Sequence, residues 1–339
     1  MINTPPPHYI NTYYIKRFEQ HSLRKKSNGL GFFIFSYFIT MNAAALATSF
    51  LLSLFSIDLT KLINGSVLTH LLYIFISAFS ALICSLVYIV LSNSDINEVI
   101  SCKRVKLSLL IPLVCVGMGV AMFANYASDI LSQNFSLFGL ENTTNFENSS
   151  KSLLANILYV VSTAIVPAFA EELAFRGILM GSLRKYGDSF AIIASAVMFG
   201  AMHGNIVQIP FAFILGLIFA YIDCKTNSII PSIIIHFINN FYAVIMDILH
   251  NDGIVSDKSF FIINYAFIIG FCILGIISFI FILKKDRHFF KLSDKNDTSN
   301  ICAKNLTLKE KNKTFFLSAG VITAMAMFIL ETISALALT

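Results

Sequence analysis

Nine apolar runs, each close to or beyond the length that crosses a bilayer, divide this chain of 339 residues. They fall at 30–57, 67–91, 107–131, 152–183, 189–204, 206–223, 229–249, 260–283 and 315–337. A membrane helix needs about 20 consecutive apolar residues. The chain is 56% hydrophobic and only 13% charged, with a mean hydropathy of +0.75. A soluble domain would carry about a quarter charged residues. The expected fold is all-α: a polytopic integral membrane protein, a helical bundle of about 8–9 transmembrane helices.

The loops give the chain an orientation. With the N-terminus inside, and Arg176 of the 152–183 run counted on that side, 21 of the 24 Lys and Arg are inner, and only Lys61, Lys151 and Lys258 lie outside. Such asymmetry marks the cytoplasmic face. The expected organisation is a cytoplasmic N-terminal arm over 1–29 and three membrane helices within 30–131. An outer loop over 132–151 follows, then a core over 152–250 and a helix over 260–283. A basic cytoplasmic linker over 284–314 leads to a last helix over 315–337. The first apolar run follows a long basic arm and exceeds the h-region of a signal peptide. The formal charge of +5 belongs to these loops and is not a nucleic-acid signal. Six scattered cysteines with no CxxC pair argue against a disulfide framework and a thiolate metal site.

Against this apolar background a few polar side chains stand out. Glu171, Glu172 and Arg176 occur in AFAEELAFRG, Phe199 and His203 in FGAMHG, and His236 and Asn240 in IIIHFINN. Ionisable groups in a membrane helix are expensive unless they pair or line a wet cavity, so their clustering implies an intramembrane polar cavity. Glu172 and Arg176 are one turn apart on one face and can form an ion pair, which also serves as a structural clamp. Glu171 projects about 100° away and stays free for another task. Gly177 and Gly181 make a small-residue face for a close neighbour. His236 and Asn240 share a face one turn apart. Counted from the inner boundary at about 1.5 Å per residue, Glu171 lies about 20 Å deep, His203 about 22 Å, His236 about 12 Å and Asn240 about 18 Å. The depths permit one shared cavity.

A carboxylate beside a neutral imidazole can take a proton from water and generate a nucleophile. A second imidazole and an amide can donate to an oxyanion. That combination suits peptide-bond hydrolysis. The same side chains (Glu171, His203 and His236) are acceptable ligands for a divalent metal such as zinc, although HExxH is absent. A metal-free and a metal-assisted hydrolase both remain open.

The three motifs EExxxR, FxxxH and HxxxN, in this order over about residues 150–245, resemble the signature of the CPBP intramembrane protease family. That family includes the type II CAAX prenyl endopeptidases and the bacterial Abi proteins. The resemblance implies an all-helical intramembrane endopeptidase whose cavity opens to the cytoplasm. It implies that Glu171 and His203 activate water, that His236 and Asn240 stabilise the oxyanion, and that Glu172, Arg176 and Phe199 support them. A glutamate-dependent mechanism with no required cofactor fits these residues best. The expected partners are the bilayer and a membrane-associated or lipidated peptide or protein, with no nucleic acid. The alternative is a membrane scaffold, immunity protein or carrier that keeps the cavity without proteolysis. A carrier would favour discontinuous helices and matching halves, and the sequence displays neither.

Overall fold

The computed structural model describes residues 7–54, 67–137, 140–142, 152–291 and 302–338. Helix α1 runs Pro7–Leu54. Proline suits a first helical position because its missing N–H has no intrahelical partner there, and no glycine follows until Gly29. The polar arm expected over 1–29 is therefore, from Pro7 onward, the first half of α1. Helix α2 spans Val67–Ser92, and the short α3, Ile96–Val99, is capped by the Asp95 side chain. Helix α4, Leu107–Leu137, continues six residues into the expected outer loop. Residues 143–151 of that loop, and 292–301 of the expected linker, lie outside the described residues.

The chain then forms α5 over Leu153–Arg184, α6 over Asp188–Met202, α7 over Gln208–Thr226, α8 over Ile230–Asn251 and α9 over Asp257–Lys285. The last expected span is broken. Helix α10, Leu308–Phe316, opens on a capping box between Thr307 and Glu310, and α11, Ala319–Ser334, leaves it at 67°. Ser318 adopts extended backbone at the break. Seven helices are long and apolar enough to cross a membrane among the described residues, or eight if α10 and α11 form one bent span. The protein is a multi-pass membrane protein. Helix α6 is the exception among the nine expected spans: at 15 residues it reaches about 22 Å. Two three-residue strands, β1 (Leu140–Asn142) and β2 (Leu336–Leu338), pair antiparallel and tie the end of α4 to the end of α11.

Two apolar clusters hold the bundle. The larger joins α1, α5, α6, α10 and α11 through residues such as Leu30, Phe175, Phe199, Phe315 and Phe328. The smaller joins α4, α7, α8 and α9 through Met118, Leu215, Phe219, Ile235 and Ile282. The motif-bearing residues lie along the seam between them. Helix α11 reaches α1 by backbone contact, since a Cβ on Gly31 would sit 2.2 Å from the carbonyl carbon of Gly320. Gly181 makes a comparable approach: a Cβ there would meet the Val99 carbonyl oxygen at 1.9 Å. The small-residue face of α5 thus seats the short α3 rather than a spanning helix.

One side chain gathers the helix ends on the Arg184 side. Arg184 donates from Nε to Asp188 Oδ1 at 2.9 Å, from Nη1 to Asn227 Oδ1 at 2.6 Å and from Nη2 to the Cys224 carbonyl at 3.3 Å. It joins the end of α5, the start of α6 and the left-handed turn that closes α7, where Asn227 has φ +49°. Asparagine tolerates that region better than other side chains.

Candidate active site

Helix α5 departs from α-helical geometry at Val161–Ile165 and again at Leu173–Met180, where it turns as π-helix. Glu171 and Glu172 sit in the α-helical stretch between these two segments. Such insertions into a helix recur at functional sites. Arg176 lies in the second one. It donates from Nη1 to Glu172 Oε1 at 3.2 Å, while Nε and Oε2 approach to 3.1 Å off the hydrogen-bonding angle, an ionic contact. Neither side chain is reached by solvent.

A buried guanidinium needs more than one partner, and aromatic rings supply the rest. The Arg176 guanidinium carbon stands 4.0 Å from the centre of the Phe199 ring and 5.3 Å from that of Phe219. Phe199 belongs to the larger apolar cluster and Phe219 to the smaller. The expected supporting residue Phe199 is thus a packing surface for Arg176 and for both histidines, at ring distances of 5.0 Å to His203 and 6.0 Å to His236.

His236 comes from α8 and enters between the two carboxylates. Its Nδ1 lies 2.9 Å from Glu172 Oε1, and its Nε2 lies 4.0 Å from Glu171 Oε2. Glu172 is ion-paired and its oxygen accepts, so Nδ1 carries a hydrogen. Glu171 differs from Glu172. Its side chain keeps 19% of its surface exposed, and its buried Oε2 has no hydrogen-bond partner in the protein. One carboxylate is spent on structure and the other is held free.

His203 ends α6. Its Nδ1 lies 2.9 Å from the Phe199 carbonyl oxygen, one turn back. A carbonyl can only accept, so Nδ1 is the donor and the neutral ring keeps its lone pair on Nε2. The next residue, Gly204, has φ +59°, and a Cβ there would come within 2.9 Å of the Glu331 side chain from α11. Asn240, one turn beyond His236, donates from its amide to the Thr163 carbonyl at 3.2 Å, and accepts from Asn239 at 3.3 Å. Asn239 in turn accepts from Asn125 at 3.1 Å. This chain of amides fixes α8 against α4 and against the first π-helical segment of α5. A primary amide has two N–H groups, so Asn240 keeps a second donor.

Some contributors carry no motif. Tyr37 of α1 and Tyr73 of α2 lie close enough to Glu171 to feel its charge. Asp223 of α7, 1% exposed, accepts from the Ser232 amide at 3.3 Å and leaves its Oδ2 without a hydrogen bond. It shares a small pocket of about 20 Å³ with Arg176, Arg184 and Ser228, room for one water. Buried His70 of α2 meets Ser162 of α5 at 3.1 Å. A charged or imidazole residue within an apolar run was the only available signal for Asp223 and His70.

Glu171, His203 and His236 are also the set the sequence offers to zinc. Among the described residues no three His, Cys, Asp or Glu side chains stand together as a metal ion requires. As placed, they do not form a ligand set.

Residues 153–242 match the family model described as "Type II CAAX prenyl endopeptidase Rce1-like", and all seven motif residues fall within that stretch. The chain is also 25% identical over 175 residues to the protein named "Putative membrane peptidase YdiL" of Bacillus subtilis (strain 168), across 51% of this chain and 71% of that one. No solved structure matches the chain.

Proposed function

We propose that the Rce1-like segment makes this chain an intramembrane endopeptidase, hydrolysing a peptide bond of a membrane-associated or lipidated peptide or protein. The observation that carries the reading is the contrast between the two adjacent glutamates. Glu172 is closed off by Arg176 and His236, whereas Glu171 presents a buried, unbonded oxygen 4.0 Å from an imidazole. A carboxylate so held is a proton acceptor waiting for a substrate water.

In this mechanism the water sits between Glu171 and the Nε2 lone pair of His203. Glu171 takes a proton as the water oxygen bonds to the scissile carbonyl carbon. The carbonyl electron pair moves to oxygen, and that oxyanion accepts from His236 Nε2–H and from the second amide hydrogen of Asn240. Donation from Nε2 while Nδ1–H faces Glu172 requires a doubly protonated ring, whose charge Glu172 offsets. Glu171 then returns its proton to the departing amine nitrogen as the C–N bond breaks. Arg176 and Phe199 hold the groups without touching the reacting atoms. The lysine and arginine asymmetry supports an inner N-terminus, and the resemblance to the family implies a cavity that opens towards the cytoplasm.

The test compares protein N- and C-termini in cells expressing the wild type or Glu171→Ala at matched membrane levels. Termini that depend on Glu171 establish the peptidase and name its substrate. Identical termini in both strains would reject it.

A further inference from the structure

Away from the glutamates and histidines, a groove of about 880 Å³ runs between α1 and α2. Its register is fixed at two points. Lys26 of α1 donates to Ser94, just past the end of α2, at 3.2 Å, and Thr40 of α1 meets Cys84 of α2 at 3.6 Å. The groove therefore has a basic end and an apolar length. At the basic end are Lys25 and Lys26 from α1 and Lys185 from the turn after α5. Along its length run Phe32, Phe79, Ile83, Val87 and Leu91.

Its charge is one-sided. No aspartate or glutamate lines the groove. Lys26 rests over the Tyr88 ring at 5.1 Å and Lys185 over the Tyr186 ring at 5.6 Å. Among the described residues none of the three lysines is ion-paired to a carboxylate of the protein. Three ammonium groups at the mouth of an apolar channel select an anion that carries hydrocarbon. A nucleotide or inorganic phosphate would leave Phe32, Phe79, Val87 and Leu91, all at least 45% exposed, uncovered.

The dimensions select further. Lys26 to Thr40 is fourteen residues of helix, about 21 Å. One leaflet supplies about 15 Å of hydrocarbon plus its head groups. The groove is as long as one leaflet is thick. Basic clusters at the membrane surface attract anionic lipid, and here the cluster opens directly onto a track for an acyl chain.

We propose that this groove binds one anionic glycerophospholipid, its phosphate on Lys25, Lys26 and Lys185 and one acyl chain along Phe32, Phe79, Ile83 and Val87. The site joins α1 and α2 to the turn that follows α5, and it stands apart from the peptidase reading.

The test is native mass spectrometry of the full chain in mild detergent, titrated with phosphatidylglycerol or with phosphatidylcholine of the same acyl chains. The expected result is a first binding step at least tenfold tighter for phosphatidylglycerol. Combined Lys25→Gln, Lys26→Gln and Lys185→Gln should erase that preference. Ser36→Trp, at an exposed position in the groove, should weaken the step with all lysines present, so the proposal is tested even if the triple variant fails to fold. Equal binding of the two lipids, a preference that survives the lysine substitutions, or displacement by inorganic phosphate alone would each overturn it. Preferential capture of an uncharged prenylated peptide over phosphatidylglycerol would overturn it too, and would assign the groove to a substrate chain.

Discussion

Glu172 and His236 meet at 2.9 Å across two helices, with Glu172 closed to solvent. The contact sets the imidazole's orientation, and Arg176 sets the carboxylate's. Glu171, the preceding residue in the chain, takes no part in either bond, and that difference between neighbours separates the expected consequences of changing them.

Glu171→Gln should reduce cleavage by about 10²- to 10⁴-fold, the usual scale for removing a general base. Its melting temperature in detergent should stay near the wild type, because Oε2 has no hydrogen bond to lose. A variant that keeps wild-type turnover would remove Glu171 from the mechanism.

Arg176→Ala should behave in the opposite way. It leaves Glu172 charged and buried, and stripping one partner from a buried pair costs about 3–5 kcal/mol. Part of the loss is the stack on Phe199 at 4.0 Å and Phe219 at 5.3 Å. Reversible unfolding in mixed micelles would measure it, and a loss below about 1 kcal/mol would show that the pair is solvated.

Gly204→Ala should lower stability by about 1–3 kcal/mol, the scale for a non-glycine residue held in the left-handed region. Its methyl would also press on Glu331. Combining it with Glu331→Ala should recover the contact but not the backbone strain, so the double variant should lie between the single variant and the wild type. Full recovery would mean that the contact alone had been destabilising.

Chelation tests the mechanism from another side. Activity of purified protein should survive exhaustive treatment with EDTA or 1,10-phenanthroline. Loss of turnover that added zinc restores would transfer the reaction to a metal-assisted route.

Contacts within one helix were legible in the sequence, and contacts between helices were less so. EExxxR, FxxxH and HxxxN each lie within one helix, so spacing alone gave the Glu172–Arg176 pair and the shared face of His236 and Asn240. The depth estimate separated the Glu171 and His236 backbones by about 8 Å, a gap that two long side chains span, and Glu171 Oε2 and His236 Nε2 are 4.0 Å apart. Counting residues assumes uniform rise and upright helices, and the Leu173–Met180 segment is π-helical. Asp223, Tyr37, Tyr73 and Glu331 were missed because each comes from a helix with no motif, and only tertiary packing brings it near. The last span was foreseen as continuous, but the extended backbone at Ser318 breaks it.

The seam between the two apolar clusters crosses Arg176, whose guanidinium has Phe199 from one cluster and Phe219 from the other within reach. That single side chain works as a rivet through two plates. If the halves of the bundle slide or part to admit a bulky chain, the stack must shear first, and Glu172 and His236 shift with it. On the peptidase reading, opening the bundle and disarming its carboxylates are then one movement, so a bundle caught ajar would be idle.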